Sequence, residues 1–339
     1  MRITYLLDRP EVGGGTKVVF RHAELLASRG HDVTVAAQGV EPAWTGRRTG
    51  YRDLAGGGSL PPDQDLAIAT WWTTIDRALS SDAKAVAHFC QGFELDLEHL
   101  AAEAPAIRAA YQRQLPALVV SPHLGERLAR EFGRESRLAP PALEPSGIAR
   151  PRFAPRRRPW IALFGIFEAE VKGARTGLAA LARLRALGLE PRLLRISALA
   201  ASAEESALGV AERYLEAVSP ASALAALADC DLLIFPSLVA EGFGLPLLEA
   251  MQLGVPAVAS RTPGTEFMTA GGQGAALVPP GDAEAFAKAS LSLLREPSSW
   301  RRQRRAGRAA AERFGASRVA AEVEAAVLWA ARFGAETRR

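Results

Sequence analysis

Twice along this chain, short apolar runs alternate with stretches whose apolar residues recur at helical spacing, and that alternation admits few folds. In the first half, Met1 to Leu7 reads as a buried strand, Thr16 to Arg29 as a helix and Asp32 to Ala37 as the next strand. Further strands are expected at Asp65 to Thr70, Ala83 to Phe89 and Ala117 to Ser121, with helices at Glu98 to Gln114 and Leu124 to Phe132. The order implies a parallel sheet covered by helices. Between Pro140 and Trp160 the chain carries Pro140, Pro141, Pro145, Pro151, Pro155 and Pro159, too many for a regular element and suited to a linker. A second alternation follows. Strands are expected at Trp160 to Phe164, Arg192 to Ile196, Asp231 to Phe235, Val255 to Ser260 and Ala275 to Val278. Helices are expected at Arg175 to Leu187, Ala221 to Leu227, Pro246 to Leu253 and Asp282 to Leu294, and the end from Trp300 to Arg339 is helical. The fold class is therefore α/β, with two Rossmann-like halves.

Length agrees with two cores, since 339 residues are long for one. No apolar run approaches the roughly 20 residues of a membrane-spanning helix, and Ile3 to Leu7 is too short for a secretory signal before Asp8 interrupts it. A cytoplasmic protein is expected. Cys90 and Cys230 are distant and form no CxxC or Cys/His cluster, so neither a disulfide framework nor structural zinc is indicated. The net charge of +4 is less informative than its distribution. Arg150, Arg152, Arg156, Arg157 and Arg158 form one cluster, and Arg301, Arg302, Arg304, Arg305 and Arg308 another. Each is either a solvated face or a contact for anionic headgroups, nucleic acid or phosphorylated sugars.

The densest signal runs from Phe235 to Met251. Glu241 and Glu249 stand eight positions apart, with Gly242, Phe243, Gly244, Leu245 and Pro246 between or beside them. Glycines there let backbone approach a ligand, and Pro246 suits the first turn of a helix, within which Glu249 is expected. A helix start holds anions such as diphosphates, while carboxylates accept hydroxyl hydrogen bonds. This stretch resembles the Glu-x(7)-Glu signature of retaining GT-B glycosyltransferases of glycosyltransferase family 4. The resemblance implies that Glu241 lies against the donor hexose and that Glu249 holds the ribose hydroxyls. It further implies two Rossmann-like domains facing across a cleft: residues 1–155 binding the acceptor, residues 156–315 binding the nucleotide-sugar donor, and 316–339 a helix returning to the first domain.

Three other places carry parts of the same resemblance. Gly13-Gly14-Gly15-Thr16-Lys17 follows the first strand, where Gly14 and Gly15 suit either a tight turn or contact with phosphate or sugar. It misses both the dinucleotide fingerprint and the P-loop spacing, so dehydrogenases and ATPases lose their best motif. Lys172-Gly173 resembles the family's Gly-Arg…Lys-Gly pattern, in which both cations neutralise the leaving diphosphate. Here Ile166 stands where the arginine is expected; either Arg175, on the same helix face as Lys172 if the helix has begun there, substitutes for it, or one cation works with the helix terminus. Gln91, at the end of a strand that also holds His88, takes the position where the family commonly has histidine. Gln91 is thus a sugar contact grouped with Glu241 and Lys172 as catalytic, Glu94 beside it an acceptor contact, and His88 core. Trp71, Trp72 and Thr73 form either an apolar acceptor wall or core.

Asp229-Cys230-Asp231 spells a metal-diphosphate motif of a different fold, but it opens a strand, so no metal is expected. The resemblance then implies a metal-independent, front-face glycosyltransferase with no cofactor beyond its nucleoside-diphosphate sugar. Its expected partners are that donor, a hydroxyl acceptor on a glycan, glycolipid or small glycoside, and peripheral contact with the inner face of the membrane through the basic clusters; nucleic acid is not expected. A nucleotide-sugar epimerase and a non-catalytic nucleotide-sugar or lipid-binding protein remain the alternatives.

Overall fold

The computed structural model describes residues 1–11, 13–45, 49–144, 152–239 and 241–337. It divides into two compact units, Met1–Glu144 with Phe314–Arg339, and Pro145–Arg313. Pro145, Arg150 and Pro151 of the linker reading, and Ala240 of the Glu-x(7)-Glu stretch, lie outside the described residues.

The first unit opens β1 (Arg2–Leu6), α1 (Gly14–Ser28), β2 (Asp32–Ala37), β3 (Gly50–Asp53) and β4 (Leu66–Ala69). It continues with α2 (Trp72–Leu79), β5 (Ala85–Cys90), α3 (Ala104–Tyr111), β6 (Ala117–Val119), α4 (Pro122–Phe132) and β7 (Ser136–Leu138). The strands form one parallel sheet in the order β3-β2-β1-β4-β5-β6-β7. Leu6 stands in register with Ala36 on one side and Ala69 on the other. The reversal of direction between β1 and β4 places the ends of these two central strands side by side, where open α/β sheets bind ligands.

The second unit runs β8 (Trp160–Phe164), α5 (Ala174–Ala186), β9 (Arg192–Ser197), α6 (Ala203–Ala207), β10 (Arg213–Glu216) and α7 (Pro220–Ala228). Then come β11 (Leu232–Phe235), α8 (Leu245–Leu253), β12 (Ala257–Ser260), α9 (Pro263–Met268), β13 (Ala276–Val278), α10 (Ala283–Arg295) and α11 (Pro297–Ala311). Its parallel sheet has the order β10-β9-β8-β11-β12-β13, with the switch between β8 and β11. Ile161, Leu163, Leu232, Ile234 and Val258 from three adjacent strands pack with Leu181, Phe286 and Trp300 into one buried cluster. The last helix, α12 (Ala316–Thr337), groups with the first unit, where Glu324 pairs with Arg29 at 2.5 Å and His31 at 3.0 Å.

One expected helix is shorter than the sequence suggests. Residues Glu98–Glu103 form a 3-10 segment, and α3 starts only at Ala104, with Pro105 in its first turn. Proline removes a helix-interior donor, so regular α-helix begins there rather than six residues earlier. Among the described residues, no helix is long and apolar enough to cross a membrane.

Candidate functional site

In the second unit the functional side chains follow the carboxyl ends of β8 and β11. After β8 the chain turns at Gly165, whose φ of 113° suits glycine and whose N–H donates to the Ile196 carbonyl at 3.0 Å. It then forms the 3-10 turn Glu170–Lys172 and reaches Gly173, the left-handed residue that precedes α5. A Cβ on Gly173 would lie 1.9 Å from the Pro236 carbonyl oxygen, and the Leu238 N–H donates to Val171 O at 2.9 Å. The two loops are thus locked together at two points. That lock sets Lys172 opposite Glu241, with Nζ to Oε2 at 3.1 Å. The other Glu241 oxygen accepts from the Ser237 hydroxyl. Glu241 is largely covered, its side chain 17% exposed, while Lys172 at 40% stays open to a ligand.

Gly173→Ala should therefore destabilise the fold by about 2–4 kcal/mol, from the left-handed backbone plus displacement of the Pro236 carbonyl. Urea unfolding measures it, and a change near zero would show the two loops to be independent.

Gly244 precedes α8 with φ 95°, and the Phe235 ring 3.0 Å from its would-be Cβ leaves no room for a side chain. Gly242 and Phe243 are buried, Phe243 meeting Phe267 edge-on. At this helix start Pro246 has no N–H and that of Leu247 is spent on Gly244 O at 3.0 Å, so among the described residues the N–H groups left without a backbone acceptor are those of Gly244 and Leu245. Glu249 is corrected from its expected place: because α8 starts at Leu245, Glu249 is its fifth residue and lies in the second turn, half-buried.

Arg175 is likewise corrected. Gly173 interrupts the backbone between Lys172 and α5, so the two cations share no helix face. The Arg175 guanidinium lies 4.2 Å from the centre of the Phe167 ring and pairs with Glu204, one contact at 2.8 Å. Sequence reasoning missed a buried cation that bonds to the residue before Ile166. Arg195, fully buried on β9, donates to the carbonyls of Leu163 at 2.9 Å and Gly165 at 2.8 Å, and pairs with the buried Glu205 at 2.5 Å. It holds the Gly165 turn from behind. Asp231 is also fully buried, accepting from Arg152 at 3.1 Å, Arg156 at 2.8 Å and the Trp160 N–H at 2.8 Å, at the opposite end of the sheet.

In the first unit Gly13 precedes α1, which starts at Gly14 rather than Thr16. A Cβ on Gly15 would sit 3.3 Å from Gln91 Nε2, so the absent side chain is what admits the Gln91 amide beside the glycine turn. Thr73 donates to Asp8 at 3.0 Å on the same edge, and Asp8 was not singled out in the sequence. His123, following β6, shares a hydrogen bond between Nδ1 and Ser121 Oγ at 3.0 Å, while its buried Nε2 has no partner among the described residues. Trp71 precedes α2, and Trp72, half-buried, packs against the buried cluster of Leu6, Ala67, Ala69 and Ile75, so one side of its ring serves the core.

Glu94 is the clearest correction. It is 4% exposed and meets the Tyr111 hydroxyl beneath the Gln91 turn, so it cannot present a carboxylate to an acceptor. Burial pushes its pKa up to about 7. His88, fully buried, touches Arg134 at 3.2 Å and is held well below the usual histidine range by burial and that guanidinium. A carboxyl whose pKa is raised on folding costs stability as pH climbs from its unfolded value near 4.5 to about 7, and the penalty stays constant above that. Glu94→Gln should thus stabilise the protein by about 1–3 kcal/mol at pH 8, with the gain vanishing toward pH 4. Paired denaturation curves at both pH values decide it, because His22 and His88 are common to both proteins; a pH-independent difference would refute the assignment.

Residues 158–296 match the family model described as Glycosyl transferases group 1. A phosphatidyl-myo-inositol mannosyltransferase of Mycobacterium leprae is 36% identical over 111 residues, 33% of this chain but only 30% of that protein's length. The Mycolicibacterium smegmatis protein of the same name is 26% identical over 330 residues, 86% of this chain and 83% of its own. Among solved structures, sucrose-phosphate synthase from Thermosynechococcus elongatus superposes with a TM-score of 0.78 at 18% identity, covering 99% of this chain and 100% of that one. Anabaena HepE in complex with UDP and glucose gives 0.77 at 16% identity over 96% and 98%. At such identities the likeness is one of fold, and that fold is GT-B.

Proposed function

From the premise that this is a GT-B protein whose second unit carries a glycosyl transferases group 1 domain, we propose that it moves a sugar from a nucleoside diphosphate to an acceptor hydroxyl with retention of anomeric configuration. The observation that carries the reading is the Lys172–Glu241 pair, a cation and a carboxylate 3.1 Å apart at the ligand-binding edge of the sheet. Two relatives named as mannosyltransferases and HepE structures with UDP and with UDP-glucose support the donor class.

Breaking the donor C1–O bond sends an electron pair to the diphosphate. The acceptor oxygen bonds to C1 on the same face, and its proton passes to the departing phosphate oxygen. Transition-state charge is then the main burden, and preorganised groups carry it best. Lys172 and the Gly244 and Leu245 N–H groups meet the growing negative charge. Glu241, steadied by Ser237, orients the hexose, and Glu249 takes the ribose. Within the first unit, Gln91 beside Gly15 is the candidate sugar contact. This chemistry requires no metal and no side-chain base.

The test is incubation with UDP-, GDP- and TDP-sugars, including a mannose donor, with and without phosphatidyl-myo-inositol, while the anomeric proton of the product is followed by NMR. Transfer or slow donor hydrolysis that depends on Glu241, with an unchanged anomer, is expected. Epimer formation, or binding without turnover, would replace the reading by one of its alternatives.

A further inference from the structure

We propose that the second unit docks on an anionic bilayer through the edge of its sheet opposite the donor loops. Two arginine clusters that are remote in sequence converge there. Arg301 at the start of α11 donates to the Phe153 carbonyl at 3.3 Å, and the neighbouring Trp300 indole donates to Asp231 O at 2.8 Å. Asp231 in turn binds Arg152 and Arg156 from the segment that carries Phe153. The buried carboxylate, with Asp229 at 3.7 Å from Arg152, thereby offsets the charge of the inner arginines, and the Asp231 backbone carbonyl ties this end of the strand to the helix. The outer ones are left over: Arg157, Arg301 and Arg305 are exposed and have no carboxylate partner among the described residues. Arg301 and Arg305, four residues apart, share one face of α11.

Among these charges stands Phe153, 77% exposed. An exposed aromatic ring on a segment held between two arginine clusters has the composition of a surface that enters a headgroup layer, with the ring at the apolar boundary and the cations among phosphates. A polyanion in water would use the charges but leave the ring exposed. A cavity of about 260 Å³ lies alongside, walled by Arg156, Trp160, Arg213 and Asp229, and Arg213 there has no partner among the described residues. It offers one headgroup a seat within the charged surface. The placement also leaves the chemistry free. Residues 152–158 lead into the amino end of β8, whereas Gly165 and Lys172 follow its carboxyl end, roughly 16 Å away for five residues of strand.

The full chain is sedimented with vesicles of phosphatidylcholine alone or mixed with phosphatidylglycerol, across a salt series. Binding is expected to the mixed vesicles only, falling as salt rises. Each unpaired arginine near such a surface should contribute about fivefold, so Arg157→Glu with Arg301→Glu and Arg305→Glu should weaken binding at least roughly a hundredfold. Phe153→Ser, tested separately, should weaken it several-fold and steepen its salt dependence. Unchanged melting temperatures show that the variants are folded, and because the readout needs no turnover it is independent of the donor chemistry. The proposal is overturned if the wild type ignores the mixed vesicles, if both variants bind as it does, or if duplex RNA binds more tightly than those vesicles.

Discussion

Lys172→Met should lower turnover of the preferred nucleoside-diphosphate sugar by about 10²–10³, the loss typical of removing one preorganised donor from developing charge. The ammonium is placed by the lock between the two loops, Gly173 against Pro236 and Leu238 against Val171, and among the described residues of those loops no second cation stands in to replace it. Arg175, the nearest cation in sequence, is engaged by Glu204. Stability should hardly change, because a pair with Lys172 40% exposed is worth about 0–1 kcal/mol. The loss should therefore appear in kcat rather than in melting temperature. Glu241→Gln should cost a similar factor with a weaker effect on free-nucleotide binding, since its proposed partner is the hexose. A drop below about threefold in either variant contradicts the assigned roles.

Arg195→Met should destabilise the protein by about 3–5 kcal/mol, the usual cost of breaking a buried ion pair from one side. It strands Glu205, 6% exposed, and takes donors from the Leu163 and Gly165 carbonyls. For a domain of this size the melting temperature should fall by roughly 6–20 °C. The double variant Arg195→Met with Glu205→Leu should recover much of that, because an apolar pair of similar volume removes the uncompensated charge. Equal loss in single and double variants would mean that the two carbonyls, not the carboxylate, set the cost.

These two sites differ in how far they can be read from sequence. Glu241 and Lys172 sit in glycine-bounded loops after apolar strands, and the strain and clearance that glycine relieves leave a spacing pattern behind. Arg195 leaves none: it is one of two arginines in the strand Arg192–Ser197, and its partner Glu205 belongs to a short helix that the apolar periodicity does not announce. The central strands β1, β4, β8 and β11 were legible because both faces are covered and nearly every residue is apolar. Edge strands β3 and β10 were not, since Gly50–Asp53 and Arg213–Glu216 are polar and largely open. The helix start at α8 was read one residue late, enough to move Glu249 from first turn to second. Glu94 shows the opposite limit: proximity to a strand end suggests a binding role, but burial against Tyr111, from a helix further along the chain, withdraws it.

The most direct measurement is a crystal structure of the chain with the nucleoside diphosphate that most raises its melting temperature. The account predicts phosphates within hydrogen-bonding reach of Lys172 Nζ and of the backbone N–H groups at Gly244 and Leu245, with Glu249 on the ribose hydroxyls. A diphosphate bound elsewhere, with the Lys172–Glu241 pair untouched, would contradict it.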